Sequence, residues 1–235
     1  MPLPEEISEE IEADRLDREG ELRLIEAFLA AATDPAQGRM LRRTLVLLNY
    51  AHLEGFVRFA LSAYQRAVNA EKIKFREASI PVGAASAGDI FAALRNDQSK
   101  HDLFRRDLPD DTILHRVARQ QRFVEEYEGK IGDTVVAIPD SVVNTESSLS
   151  AAVLKRNLFI LGLPADCADK YASEINQMMH IRHAIAHGDR LRDPKPELVQ
   201  AQREAVAGIM SALRDAIVTA VAGKAYRRTE RSIAA

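Results

Sequence analysis

Apolar residues recur every three to four positions through most of this chain of 235 residues, which is the period of an amphipathic α-helix. The longest stripe runs from Met40 to about Ala70, where alanine, leucine and arginine also favour helix. An earlier helix should end ahead of Thr33-Asp34-Pro35, because proline cannot continue it. The two stripes consist of Leu22, Ile25 and Leu29, and of Leu45, Leu48, His52, Phe56 and Phe59. The pattern predicts an all-α fold.

A third long helix is expected to begin near residues 193–197, Asp-Pro-Lys-Pro-Glu, where aspartate can cap the helix and proline suits its first turn. Its many small side chains permit close packing against other helices or against a second copy of the chain. The residues predicted to be buried along it are Leu198, Ala201, Ala205, Ile209, Ala212, Leu213, Ala216 and Ile217.

The middle of the chain is less regular. Residues 79–88 combine proline, glycine, alanine and serine and are predicted to form a loop, whereas residues 133–139 predict a short strand or an extended connector. Three further helices are expected, at 91–94, 113–127 and 145–161, and the last should stop at Gly162-Leu163-Pro164.

Composition places the chain among ordinary soluble globular proteins, with 46% hydrophobic and 29% charged residues. No run approaches the ~20 apolar residues of a membrane span, so no membrane association is expected. The acidic start at residues 5–10 lacks the apolar segment of a secretory signal. A lone Cys167 excludes an internal disulfide and a cysteine zinc cluster. The expected location is the cytoplasm.

Charge is distributed unevenly along the chain. The net charge of −3 argues against a protein that wraps nucleic acid by bulk electrostatics. Residues 1–21 hold nine acids and two arginines, a net −7, so the remainder carries +4. We therefore expect an acidic helical segment at 1–35 that packs on a helical domain at 36–223, followed by a basic tail at 224–235.

The chemistry is concentrated in residues 179–189, Met-His-Ile-Arg-His-Ala-Ile-Ala-His-Gly-Asp. Arg182 is a permanent, fork-shaped ligand for phosphate, and His187 can exchange protons near neutral pH. Both stand just before Gly188, which can end a helix. The pair suits binding or cleavage of a phosphodiester.

A zinc site is the alternative for the same segment, because His180, His183 and His187 step by three and four. The positions between the last two histidines hold no glutamate, which a helical zinc protease needs as its base. The sequence therefore favours a site without metal.

Helix geometry bears on how the pair could act. At 3.6 residues per turn, Arg182 and His187 lie roughly 140° apart around a regular helix. Either Gly188 distorts the helix end, or two chains pool their residues across a twofold axis, which is the commonest oligomer geometry. The second arrangement gives one cleft two histidines, one as acid and one as base.

The segment Arg182–His187 resembles the arginine, polar residue and histidine signature of the HEPN superfamily, whose all-α domains include many prokaryotic ribonuclease toxins. Residues 47–58, with Tyr64, are similar to the first core helix of the stand-alone MAE-type and RiboL-PSP-type HEPN proteins. The helix end at Leu161-Gly162-Leu163 also resembles theirs. The resemblance covers roughly residues 20–220.

The resemblance implies an antiparallel helical bundle of the HEPN type with an irregular middle insertion. It also implies a homodimeric, metal-independent endoribonuclease without a cofactor, which cuts RNA to 2′,3′-cyclic phosphate and 5′-hydroxyl ends and leaves DNA intact. Arg182 would hold the phosphate oxygens and His187 would move the proton. His183 is expected in a supporting role, and Glu54 would orient Arg182 through an ion pair.

Arg190, Arg192 and Lys195 follow the motif and are predicted to contact the RNA backbone. The resemblance further implies a toxin of a toxin–antitoxin or anti-phage defence system, with a cognate antitoxin or another defence protein as a partner. Toxins silenced by adenylylation have a tyrosine two residues after the histidine, and Asp189 occupies that place here. Two alternatives are a non-catalytic HEPN scaffold that binds RNA, a nucleotide or a partner protein, and a helical interaction protein with a chance motif.

Overall fold

A computed structural model describes residues 4–145, 148–189 and 193–229 of the chain, and it confirms the all-α prediction, with no strand in those ranges. The helices are α1 (Pro4–Ala31), α2 (Pro35–Ala70), α3 (Ile80–Ser86), α4 (Gly88–Arg95), α5 (Thr112–Gly129), α6 (Ala151–Leu161), α7 (Ala172–Ala186) and α8 (Pro196–Ala222). Single 3₁₀ turns lie at Phe75–Glu77, Asp102–Phe104, Ile131–Asp133, Asp140–Val142 and Asp169–Tyr171.

The break between α1 and α2 lies where proline predicted it. The Asp34 side chain accepts hydrogen bonds from the backbone N–H groups of Ala36 and Gln37, at 3.1 and 3.2 Å, and so caps α2. Pro35 stands in the first turn, where its missing N–H costs nothing. The chain therefore reverses direction between these two helices.

The predicted acidic segment, residues 1–35, contains the whole of α1, which packs on the bundle through the buried Ile7 and Ile11. Its charges are balanced across helices: Arg214 of α8 lies 2.7 Å from Glu12. A hydrogen bond from Arg15 lowers the pKa of Glu12 most, and with Arg214 brings it to about 2. The segment is thus part of the folded bundle.

Helix α2 is the centre of the bundle and packs against α1, α7 and α8. Its stripe buries Leu45 and Phe56 as predicted, and His52 is buried as well. Burial lowers the pKa of His52. The Glu21 carboxylate, 3.3 Å from the His52 Nε2, raises the pKa, but by less. His52 is therefore a core residue of the α1–α2 interface.

Helix α8 begins as expected near Pro196, but Asp193 does not cap it; the N-cap is Lys195, without a side-chain hydrogen bond. Ala201 is exposed although it was predicted to be buried. By length and a hydropathy of 1.6, α8 alone among the described helices could cross a membrane. Ten residues of α8 are buried in the bundle, so packing inside the protein accounts for its apolar composition.

The prediction of a loop over residues 79–88 is wrong. Residues 80–86 of the expected loop form helix α3, because Pro81 suits a first turn and Val82 is buried against the core. Residues 133–139 form an extended connector rather than a strand. They pair with an earlier part of the chain through one isolated antiparallel bridge, between Lys74 and Val135, beside which Val136 N–H donates to the Ile73 carbonyl at 2.8 Å.

Helix α6 starts later than predicted and stops where predicted. Ser150 is its N-cap, accepting from the Val153 N–H at 3.2 Å, whereas residues 146 and 147 lie outside the described ranges. Gly162 ends the helix with φ of 71°, and Leu163 N–H donates to the Leu158 carbonyl at 2.9 Å. This is a Schellman turn, which requires a left-handed residue.

The described part of the predicted basic tail, residues 224–229, folds back onto the bundle. Tyr226 is buried, and its carbonyl accepts from the Ser79 N–H at 2.8 Å. Arg227 forms ion pairs with Glu71 and Glu77. These residues are part of the domain, and residues 230–235 lie outside the described ranges.

The core is divided into two clusters. The larger cluster contains most of the buried apolar residues of α2, α6 and α8. Asn49 of α2 and Gln202 of α8 lie between the residues that these helices give to the two clusters. Both side chains are fully buried, and their amide atoms have no hydrogen-bond partner in the described part of the chain. The smaller cluster consists of Leu22, Leu45, Val46, Ile181, Ile185 and Val199. It supports the end of α7 that carries the Arg182–His187 motif.

Gly162→Ala is predicted to lower the free energy of unfolding by about 1 kcal/mol or more, because φ of 71° strains any residue with a Cβ. Gly20→Ala is the control: Gly20 lies inside α1 with open space around its Cβ position, so alanine should stabilise the protein by about 0.5–1 kcal/mol. Urea titration measures both. Equal stabilisation by the two substitutions would contradict the left-handed turn.

Candidate functional site

The motif lies on the last turns of α7, which ends in a second Schellman turn. Gly188 has φ of 92°, its N–H donates to the Ile185 carbonyl at 3.1 Å, and Asp189 N–H donates to the Ala184 carbonyl at 3.0 Å. His187 is the last residue before this reversal. The helix therefore remains regular up to Ala186, and Gly188 ends it without redirecting Arg182 towards His187.

Burial of one face fixes the rotation of α7. Ile181 and Ile185 pack into the smaller core cluster against Leu45 and Val46 of α2. Arg182 and His187 must then leave the helix on opposite sides of this apolar stripe, since each is displaced from it around the axis. The sequence of α7 thus determines where its charged residues point.

Arg182 lies against α2. Its guanidinium carbon is 5.4 Å from the centre of the Tyr50 ring, within the range of a cation–π contact. Tyr50 is almost fully buried, and its hydroxyl donates to the Leu149 carbonyl at 3.3 Å. The ring is therefore a fixed surface on which the half-exposed Arg182 rests.

Glu54 lies one turn beyond Tyr50 on α2, and the ion pair predicted between Glu54 and Arg182 is not formed in the single chain. Both charges nevertheless act on the same hydroxyl. Burial raises the pKa of Tyr50, the Glu54 carboxylate raises it further, and Arg182 lowers it. Glu54 and Arg182 thus flank Tyr50 without contacting each other.

His183 and His187 form an exposed pair on the other side of α7. Their ring centres are 4.1 Å apart with the planes inclined by 53°. Four residues separate them, so they stand on the same helix face one turn apart. Two imidazoles, which can act as acid and base, therefore meet at the solvent end of the helix.

Two arginines that the sequence analysis did not single out hold the chain that follows the motif. Arg43 donates to the Asp189 carbonyl at 2.7 Å. Arg42 donates to the Pro194 carbonyl at 2.9 Å and pairs with the Asp193 carboxylate at 2.7 Å. About 150 residues separate these partners. No local spacing signals such contacts.

The predicted RNA-contacting residues are only partly described. Lys195 is exposed at the start of α8, and its side chain makes no capping hydrogen bond. Arg190 and Arg192 lie outside the described residues. Within the described ranges, no group of three or more histidine, cysteine or acidic side chains is arranged to hold a metal ion.

One comparison with known proteins identifies a family. The family model described as RiboL-PSP-HEPN matches residues 13–219, a span from the middle of the acidic segment almost to the end of α8. Neither a curated protein nor a solved structure matches the chain. The matched span includes Tyr50, Glu54 and the whole Arg182–His187 segment.

Replacing Tyr50 tests whether its ring positions Arg182. Tyr50→Phe should retain the upfield, ring-shifted NMR signals of the Arg182 side chain, because the aromatic face remains. Tyr50→Leu should abolish the shift, with loss of a contact worth about 0.5–2 kcal/mol. Arg182→Lys assigns the signals. Unchanged Arg182 shifts in a folded Tyr50→Leu protein would contradict the contact.

Proposed function

Because this chain belongs to the RiboL-PSP-HEPN family, we propose that it is a metal-independent endoribonuclease whose site contains Arg182 and His187. Family membership by itself supports a nuclease-like or RNA-related role. The observation that carries the finer proposal is the exposed His183–His187 pair, 4.1 Å between ring centres, on the helix that also presents Arg182. His183 acts as a supporting residue beside His187, and Glu54, which does not contact Arg182 in one chain, acts on the site through its charge next to Tyr50.

The reaction needs only proton transfer and charge stabilisation, because RNA carries its own nucleophile. A histidine removes the proton of the 2′-hydroxyl, the 2′-oxygen bonds to phosphorus, and the bond from phosphorus to the 5′-oxygen breaks. A second histidine protonates that leaving oxygen. The products are a 2′,3′-cyclic phosphate and a 5′-hydroxyl, and no water or redox partner is consumed.

Arg182 stabilises the negative charge that accumulates on the non-bridging phosphate oxygens. A guanidinium presents two parallel N–H donors to such a group, which the point charge of lysine does not. Resting on Tyr50 lowers the entropy lost when Arg182 binds phosphate. The residue is therefore suited to hold the transition state as it forms.

A homodimer explains how Arg182 and His187 serve one phosphate. In the single chain, Arg182 faces α2 while His187 points to solvent, roughly 140° away around the helix. A twofold axis beside α7 brings the His187 side of one copy opposite the Arg182 side of the other. The cleft then contains Arg182 and His187 from both chains, and the two copies of His187 act as acid and base.

We place the activity in a cytoplasmic toxin–antitoxin or anti-phage system, where RNA cleavage stops growth. Asp189 stands where an adenylylated tyrosine would be, so control by another neighbouring protein fits this chain better. Arg190, Arg192 and Lys195 are proposed to contact the RNA backbone.

The second candidate is a non-catalytic scaffold that binds RNA, a nucleotide or a partner protein. The specific observation in its favour is the contact of Arg182 with Tyr50, which keeps the arginine away from His187 in one chain. If the chain functions as a monomer, this separation favours binding over cleavage.

Expression of the wild-type chain is predicted to halt growth, and His187→Ala to relieve it. Loss of a general acid or base costs ~10²- to 10⁴-fold in rate. The purified wild type should cleave RNA in excess EDTA and leave DNA intact. His101→Ala, at an exposed histidine between α4 and α5, is the matched control and should remain toxic.

Equal toxicity of the His187→Ala protein at matched abundance would refute the catalytic role. Activity that chelation abolishes and zinc restores would instead revive the metal site at His180, His183 and His187.

The composite dimer predicts a mass near twice 26.1 kDa in sedimentation. An excess of Arg182→Ala protein mixed with wild type should lower activity more steeply than dilution, because mixed dimers lack one guanidinium. An excess of Gln120→Ala protein, altered at an exposed position of α5, should not. A fully active monomer would overturn the shared cleft.

A further inference from the structure

A cleft of ≈ 540 Å³ opens between α7 and the start of α8. Gln177, His180 and Ile181 line it from α7, and Pro194 and Leu198 line it from the other side. Its volume lies within the range of about 300–1,000 Å³ that small-molecule sites occupy. The proposed catalytic groups do not include the residues of this cleft on α7.

One residue of the cleft, His180, stands on the same side of α7 as His187. Positions 177, 180 and 181 are spaced by three and four, which aligns them along the helix. Seven residues separate His180 from His187, so the two lie within about 20° around the axis and about 10 Å along it. The His180 rim of the cleft therefore lies about two helical turns from the place where a phosphate would meet His187.

The lining combines an apolar floor with polar groups at the rim. Ile181 and Pro194 are buried and Leu198 is half-buried, which provides a dry surface. Gln177 and His180 are exposed at the edge, and neither has a hydrogen-bond partner in the described part of the chain. Lys195 adds one positive charge at the same rim.

This lining suits a planar heteroaromatic ring attached to a phosphate. Unpaired bases in RNA are held by their faces on side chains and by hydrogen bonds to their edges. The Gln177 amide offers one donor and one acceptor side by side. Asp193 is already engaged by Arg42, which leaves Gln177 and His180 at the rim. Of the two, Gln177 presents its donor and its acceptor side by side, as the edge of a base does.

We propose that this cleft is the subsite for the nucleobase that adjoins the cut, with Gln177 as the residue that selects the base. The position of the cut phosphate at His187 rests on the proposed function. The face of the base packs on the apolar floor, and its edge forms hydrogen bonds with Gln177. Lys195 contacts the phosphate of the same nucleotide.

The kinetic test uses single-stranded oligoribonucleotides that differ in one base next to the cut. Wild type should favour one base, and Gln177→Ala should lower kcat/KM on it by about 10- to 100-fold, with little change on the others. Gln120→Ala, an equivalent change on exposed α5, should preserve the preference. Alanine favours helix, so the substitution does not threaten folding.

The binding test does not depend on cleavage. The four nucleoside 3′-monophosphates are titrated into His187→Ala protein while the Ile181 methyl signals are followed by NMR. The favoured nucleotide should shift them, and adding Gln177→Ala should abolish the shift, whereas adding Gln120→Ala should leave it unchanged.

The two tests separate the subsite from the proposed activity. RNA cleavage with a base preference that Gln177→Ala leaves intact overturns the subsite and leaves the ribonuclease standing. Nucleotide-dependent shifts at Ile181 that require Gln177, in a protein that cleaves no RNA, support the subsite and reject the ribonuclease. No shift with any of the four nucleotides overturns the subsite.

Discussion

The packing of Ile181 and Ile185 on α2 is the contact on which the candidate site depends. These two side chains fix the rotation of α7, and with it the separation of Arg182 from the His183–His187 pair. The Schellman turn at Gly188 then ends the helix without altering those directions. An apolar contact thus decides which polar groups one chain can bring together, and it explains why a twofold partner would complete the set.

The core is divided into two clusters, and the smaller one packs beneath the end of α7 that carries the candidate site. Asn49 and Gln202, fully buried with unpaired amides, interrupt the apolar packing between the large cluster and the small one beneath α7. A buried amide left without a polar partner costs roughly 1–3 kcal/mol, so these two positions are sensitive to how their amides are paired. The Arg42 and Arg43 contacts join Pro194 and Asp189, on either side of the gap in the described ranges after the motif, to α2.

Local sequence rules predicted the parts of the fold that local physics determines. Periodicity and proline located α2 and the end of α1, and Gly162 ended α6 as expected. The prediction for residues 79–88 is wrong because small residues and proline suit both a loop and the helix α3. Only the tertiary contacts of the buried Val82 favour the helix over the loop. The 140° offset of Arg182 and His187 followed from helix geometry, whereas the Tyr50 and Arg42 contacts join residues far apart in sequence and leave no periodic signal.

The central claim is that the 2′-hydroxyl of RNA is the nucleophile, with this chain supplying only protons and charge stabilisation. Mass spectrometry of an oligoribonucleotide cut by the purified protein in EDTA tests it most directly, alongside the same oligonucleotide with a single 2′-deoxy residue at the cut. The account predicts 2′,3′-cyclic phosphate and 5′-hydroxyl ends, and no cut at the deoxy position. Cleavage at the deoxy position, or products with a 5′-phosphate, would contradict it.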